Sequence, residues 1–250
     1  MFRRASVFVY GLLCYVIFFA TFLYAIGFVC NLFVPRSMDG PPSGVLATSL
    51  GVDLGLLLLF AVQHSWMARR GFKGWLTRFI PEPAERSTYV LASSVALGVL
   101  FAFWQPLGGL VWSVSQPTAV IVLYSLCAFG WLLVLVATFL INHFDLFGLR
   151  QVWLYARSEP YTHLTFRTPG PYRLVRHPLY VGWFFAFWAT PTMTLTHLVF
   201  ALATSGYILV AIQLEERDLV ATLGGQYSDY RKRVPMLIPG VSLLRSRQQT

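Results

Sequence analysis

The sequence predicts an all-α fold, a polytopic transmembrane helical bundle of five to six membrane-crossing helices, and three observations carry that reading. Hydrophobic residues make up 56% of the 250-residue chain and charged ones only 12%, a balance outside the soluble globular range. Several apolar runs are long enough to cross a hydrocarbon core of ~30 Å. The basic residues gather in short segments that the alternation of runs places on a single side of the membrane.

In order, the runs are 7–33, 45–66, 88–104, 118–141, 179–193 and 195–214. The first is too long for a secretory signal peptide and lacks its small-residue cleavage site, so it counts as a helix. The last two are separated only by the Thr190-Pro191-Thr192 region and read as a helical hairpin. With a cytoplasmic N-terminus, Arg3 and Arg4, the segment from Arg69 to Arg86, the segment from Arg150 to Arg176, and the tail from Arg217 to Arg247 all fall inside. Of the basic residues only Arg36 falls outside, where Asp39 is its expected partner. Both termini are therefore expected in the cytoplasm. The formal net charge of +9 suits an inner face lying against anionic lipid and calls for no nucleic acid. Cys14, Cys30 and Cys127 lie inside the runs with no CxxC spacing, which argues against a disulfide frame and against a metal site.

Polar groups concentrate at the inner ends of the runs. His64 ends the second, Asn142, His143 and Asp145 end the fourth, His177 begins the fifth, and Glu215, Glu216, Arg217 and Asp218 end the sixth. Four helix ends are thus expected to feed one cytoplasmic pocket, roofed by the amphipathic stretch 147–168 with Trp153, Tyr155, Tyr161 and His163. The densest segment is Gly170-Pro-Tyr-Arg-Leu-Val-Arg-His-Pro-Leu-Tyr-Val-Gly182. A basic anchor would account for Arg173 and Arg176; the interleaved aromatics and His177, the helix-starting Pro178 and the two glycines point to a chemical site. Asp53 shares a helical stripe with Leu57, Phe60 and His64 and is expected to face the bundle interior, holding a neighbour through Asn31 or Ser49 or lining a substrate path. His197 reads as a solvated interfacial residue, and Trp66, Trp75, Trp104 and Trp112 as aromatic belts.

Three blocks carry a resemblance across the C-terminal third: Gly170-x-Tyr172-Arg173-x-x-Arg176-His177-Pro178-x-Tyr180-x-Gly182, Glu215-Glu216-Arg217-x-Leu219, and Tyr227-x-x-Tyr230-x-x-Arg233-Val234-Pro235-x-x-Ile238-Pro239. Together they resemble the isoprenylcysteine carboxyl methyltransferase superfamily of integral-membrane enzymes. Upstream, Gln63-His64-Ser65-x-Met67-Ala68-Arg69, Glu85-Arg86-Ser87-Thr88-Tyr89 and Asn142-His143-Phe144-Asp145-x-Phe147-Gly148-Leu149-Arg150-Gln151 are similar to a narrower branch, the bacterial methanethiol S-methyltransferases, which also holds denitrification-associated membrane proteins. The resemblance implies a single integral-membrane domain over 1–250, with a four-helix part at 1–145 and a cofactor-binding part at 146–250, in a bacterial inner membrane. It implies S-adenosylmethionine as methyl donor, S-adenosylhomocysteine as product, and conversion of methanethiol, a small volatile thiol, to dimethyl sulfide.

The same resemblance implies site roles. The stretch from Tyr172 to Tyr180, with Arg173, Arg176, His177, Pro178 and Gly182, would cradle the cofactor, freed amides at the helix start meeting its carboxylate. Glu215 or Glu216 would balance its positive charge, and Tyr227 and Tyr230, three apart on one helix face, would cover the adenosine; interfacial anchoring of the tyrosines, and pairing of Glu216 with Arg217 or Arg231, are the structural alternatives. No GxGxxG follows a predicted strand, so the cofactor is not held in the soluble dinucleotide manner. A thiol with an ionisation constant near or above ~8.5 needs help to become a thiolate. His143, with Asp145 two residues on and Asn142 beside it, is one candidate proton acceptor, and His64 is the other. Methylation of a lipid or prenylated-cysteine carboxylate, or a non-enzymatic role in membrane assembly or transport, remain the alternative functions.

Overall fold

The computed structural model describes residues 2–162 and 164–240; His163, Arg245 and Arg247 lie outside the described residues. The elements are α1 (Phe2–Cys30), α2 (Leu46–Met67), α3 (Arg70–Leu76), α4 (Glu85–Phe103), β1 (Leu110–Ser113), α5 (Pro117–Ile141), α6 (His143–Leu146), α7 (Leu149–Ala156), α8 (Pro178–Trp188), β2 (Thr192–Thr194), α9 (Leu195–Leu223) and α10 (Gly225–Arg233). Among the described residues, five helices are long and apolar enough to cross a membrane: α1, α2, α4 with the turn before it, α5 and α9. The protein is an integral membrane protein built from an all-α bundle.

The hairpin differs from the sequence expectation. The apolar run 179–193 is helical only through Trp188, so α8 has 11 residues and reaches about 16 Å at 1.5 Å per residue, too short to span. Pro191 lies three residues beyond the last helical residue, and hydropathy does not register such a stop. α9 instead has 29 residues, about 43 Å, and carries its acidic end well past the apolar stretch.

The chain folds into two compact units, each assembled from separated segments. The first comprises 1–112, 142–164 and 193–199. In it α1 runs beside α4, with Tyr10 Oη and Thr88 Oγ1 at 2.9 Å and Phe28 set against Phe101 and Trp104. α7 lies along the first turns of α1: Arg4 sits over the Tyr155 ring, Phe8 meets Trp153, and buried Val152 fills the space a Cβ on Gly11 would need. The stretch expected to roof a pocket is therefore, over 149–156, a brace on α1.

The end of this unit that holds Asp39 and Arg36 is tied by polar groups that the sequence reading paired differently. Arg36 donates to the carbonyl of Ala102 at 2.8 Å rather than to Asp39. Asp39 accepts from Asn31 Nδ2 at 2.7 Å and from Thr194 Oγ1, and faces His197 Nδ1 at 3.5 Å. His197 is buried, not solvated at the interface, because this carboxylate receives it. Trp104 is buried too and donates to Met38 O, which removes it from the aromatic belt. Asp53 is fully buried, and its Oδ1 accepts from Gln105 N at 2.9 Å, so it holds the chain end of α4, not Asn31 or Ser49.

The second unit comprises 113–141, 165–192 and 200–250. α5 and α8 pack antiparallel with their backbones nearly touching: a Cβ on Gly130 would stand 2.5 Å from Ala186 N, and one on Gly182 would stand 2.8 Å from Gly130 O. Small residues at such a crossing let membrane helices gain dispersion contact along their whole length. Trp131 and Trp183 close the contact edge to face at 5.2 Å.

Candidate active site

In the second unit the 170–182 segment, the end of α9 and α10 come together. A 3-10 turn at Gly170–Arg173 leads into two residues that pair with the chain after α10: Arg176 N donates to Pro235 O at 2.8 Å and His177 N to Met236 O at 3.2 Å. Pro178 then opens α8 at its first turn, where the missing N–H costs nothing. This small backbone pairing fixes Arg176 and His177 against α9. Glu216 Oε1 accepts from Arg176 Nε at 2.7 Å and lies 3.0 Å from His177 Nε2; all three side chains are largely buried. Arg176 Nη1 also donates to Val234 O and Arg231 O. Glu216 is thus matched to Arg176 rather than to Arg217, with Arg231 Nη1 more distant at 3.9 Å.

The neighbouring carboxylate is the more available one. Glu215 has a side chain 46% exposed and accepts from Tyr180 Oη at 3.0 Å. The amides at the start of α8 are less free than the sequence suggested, since Tyr180 N and Val181 N already donate to His177 O; Leu179 is what the first turn has left. Gly182 packs on α5, and Arg173 is exposed. Tyr227 and Tyr230 are both buried, 5.8 Å apart, and share Phe166 as an edge-on neighbour. Tyr230 Oη donates to Tyr172 O at 2.6 Å, while the buried Tyr227 hydroxyl has no hydrogen-bond partner among the described residues. Burial pushes the phenols of Tyr172 and Tyr227 up, aided by Glu215 and Glu216 respectively, and burial holds Tyr230 at about 12 against the opposing effect of Arg176. These phenols stay protonated near neutrality, as hydrogen-bond donors.

The candidate proton acceptors lie in the first unit. Asn142 caps α6, its Oδ1 accepting from Asp145 N at 3.2 Å. Asp145 does not support His143: its Oδ1 takes Arg150 Nη1 at 3.0 Å and its Oδ2 accepts from Tyr161 Oη at 3.4 Å, because two residues on a short helix point to different faces. His143 is 3% exposed and meets Tyr15 Oη with Nε2 at 2.9 Å, inside a ring of Tyr15, Phe144 and Phe147. Burial lowers the basicity of His143, which keeps it neutral and able to accept a proton at pH 7. His64 stands in a polar set of its own, with Tyr89 Oη 2.9 Å from Nε2 and Ser93 Oγ 3.1 Å from Nδ1.

Tyr15 and Phe166 were not singled out from the sequence, and Tyr89 entered only as the last residue of the 85–89 block. Tyr15 and Tyr89 are 128 and 25 residues from their histidines; phenols in otherwise apolar helices were the available signal.

The chain is similar to proteins of known name. It is 58% identical over 236 residues to a methanethiol S-methyltransferase of Crocosphaera subtropica, covering 94% of this chain and 92% of that one. It is 52% identical over 237 residues to the methanethiol S-methyltransferase of Mycobacterium tuberculosis, covering 95% and 97%, and 49% identical over 232 residues to methanethiol S-methyltransferase 1 of Bradyrhizobium diazoefficiens, covering 93% and 81%. No family model and no solved structure matches.

Proposed function

Because the chain belongs to the methanethiol S-methyltransferase family, we propose that it transfers a methyl group from S-adenosylmethionine to methanethiol, releasing dimethyl sulfide and S-adenosylhomocysteine. The observation that carries this reading is likeness along 94% of the chain, which takes in the first unit as well as the superfamily blocks at the C-terminus. A lipid or prenylated-cysteine methyltransferase would be expected to share the latter alone.

The residues of the second unit suit such a donor. Glu215 offers an accessible carboxylate to a positive charge, the unpartnered Tyr227 hydroxyl offers a buried hydrogen bond, and Phe166, Tyr227 and Tyr230 offer aromatic cover. When bound, the donor supplies an electrophilic methyl on a sulfonium. Arg176, His177 and Glu216 form the fixed frame that orients these groups. Methyl transfer disperses charge, so alignment and water exclusion provide most of the acceleration. The thiol must lose its proton on the way, and His143, neutral and buried, is assigned to receive it, with His64 as the rival.

The membrane orientation belongs to the same reading: an inner-membrane protein with both termini cytoplasmic, where the donor is made. Purified protein given S-adenosylmethionine and methanethiol should form dimethyl sulfide. Production of none, by protein that binds S-adenosylhomocysteine, would remove the thiol from the proposal. Single-cysteine labelling in intact cells should find 70–85 shielded from an impermeant reagent and 105–117 open to it.

A further inference from the structure

We propose that the first unit carries a binding site for an anionic phospholipid, with one acyl chain lying along the start of α1 and the phosphate on Arg3. The site is structural and stands apart from methyl transfer. Two adjoining hollows define it. One, of about 560 Å³, is walled by Val7 and Tyr10 of α1 and by Ile80, Pro81, Ala84 and Thr88 at the entry to α4. The other, of about 480 Å³, continues along α1 past Val9 to Leu13. Both are lined by Phe2, Ser6 and Tyr10, which at a spacing of four share one face of the helix. From Phe2 to Leu13 the groove follows α1 for roughly 16 Å at 1.5 Å per residue, an elongated shape that suits a hydrocarbon chain.

The lining favours hydrocarbon. Thr88 Oγ1 donates to Ala84 O at 2.9 Å, which leaves Tyr10 Oη to donate to Thr88 Oγ1 at 2.9 Å, and Ser6 Oγ donates to Phe2 O at 3.1 Å. These hydroxyls spend their hydrogens within the protein, so a ligand with polar groups along its length would bury them poorly paired. Val9 and Leu13 are 53% and 57% exposed on a helix that crosses the membrane, and the groove opens there to the acyl region of the bilayer. The other end calls for an anion. Arg3 and Arg4 stand in the first turn of α1, where aligned peptide dipoles already leave positive charge, and that turn holds no acidic residue. Arg4 rests over the Tyr155 ring; Arg3 is exposed, lines the larger hollow and makes no ion pair among the described residues. Glu82 and Glu85 line neither hollow. A groove that opens to lipid at one end and reaches an unpaired guanidinium at the other fits a phospholipid whose head carries net negative charge, and disfavours a zwitterionic one, whose ammonium would meet the same arginine.

The test titrates the purified full-length protein in detergent with phosphatidylglycerol and, separately, with phosphatidylcholine, reading bound lipid by native mass spectrometry. The wild type should prefer phosphatidylglycerol. Arg3→Gln should weaken that affinity by ~5-fold, the worth of one basic side chain against anionic lipid, and Arg3→Lys, which keeps the charge, should retain the preference. Ser6→Phe, which fills the stretch common to both hollows, should weaken binding by ~10-fold or more, since each displaced methylene loses its contact. Lys232→Gln, at an exposed position on α10, should change nothing. Equal affinity for the two lipids, an Arg3→Gln variant within about twofold of the wild type, loss of the preference in Arg3→Lys, or an equal loss in Lys232→Gln would overturn the proposal. Glycerol phosphate binding as tightly as the whole lipid, with Ser6→Phe without effect, would assign the arginine to a free anion and overturn the lipid. None of these outcomes depends on whether the protein methylates a thiol.

Discussion

The charged cluster of Arg176, His177 and Glu216 in the second unit and the uncharged pair of Tyr15 and His143 in the first are both buried, yet they are built in opposite ways. The former places formal charges in close contact and satisfies them from three chain segments, including the carbonyls of Arg231 and Val234. The latter joins a phenol and an imidazole at 2.9 Å among aromatic rings. A buried charge holds geometry rigidly because any displacement exposes an unpaired ion to low dielectric. A neutral pair can exchange a proton with little reorganisation. The contrast teaches that one cluster is made to hold and the other to transfer.

The largest expected effect tests the holding cluster. Arg176→Ala leaves Glu216 buried with half its partners, and loss of one member of a buried pair costs ~3–5 kcal/mol; a marked fall in melting temperature in detergent should follow. Replacing both, as Arg176→Met with Glu216→Leu, should regain much of that stability but not affinity for S-adenosylhomocysteine. Recovery of both would mean that the cluster is packing and nothing more. Next is the transferring pair: His143→Ala should lower kcat by ~100-fold at pH 7 with donor affinity retained. The deficit should shrink as pH rises toward ~8.5 and above, where the thiol arrives ionised. A loss constant across pH would assign His143 to positioning and bring His64 forward.

A smaller effect separates the two acidic neighbours on α9. Glu215→Gln leaves the frame intact, so stability should not change, while calorimetry should show donor-product affinity weakened by ~1.5–3 kcal/mol if this carboxylate meets the ligand's charge. The smallest concerns the tie around Asp39. Burial would raise the Asp39 carboxyl, but His197 facing it at 3.5 Å and hydrogen bonds from Thr194 and Asn31 outweigh it and leave it below the usual range. A depressed carboxyl stabilises above its unfolded value of ~3.9 and loses that contribution as pH falls through the folded one. Asp39→Asn should therefore cost ~1 kcal/mol at neutral pH and flatten the acid limb of the stability curve, with turnover unaffected.

The long helices and the 170–182, 215–219 and 227–239 blocks were legible because hydropathy and motif spacing are local properties of the chain. What was not legible depended on distant partners. Asp39 and His197 lie far apart in sequence, and each looked like a surface residue until the other was placed beside it. His143 drew attention to Asp145 through proximity in sequence, although helical rotation sends Asp145 to Arg150 and leaves the imidazole to a tyrosine on α1. Likewise, averaged hydropathy carried the run 179–193 past the end of its helix at Trp188, because it does not register Pro191, the local signal for the stop.

That early stop has an architectural cost. A helix satisfies its own backbone, whereas extended chain must borrow its hydrogen bonds from a neighbour. Here the donor is the connection between α4 and α5: β1 runs beside β2, Val114 N donates to Pro191 O at 2.8 Å, and Gly109 O accepts from Leu195 N at 3.0 Å. A segment that hydropathy treats as a free external loop is in effect the missing half of a helix. Tags, epitopes or length changes at 109–114, the natural place to put them on a topology diagram, would unseat the chain that joins α8 to α9.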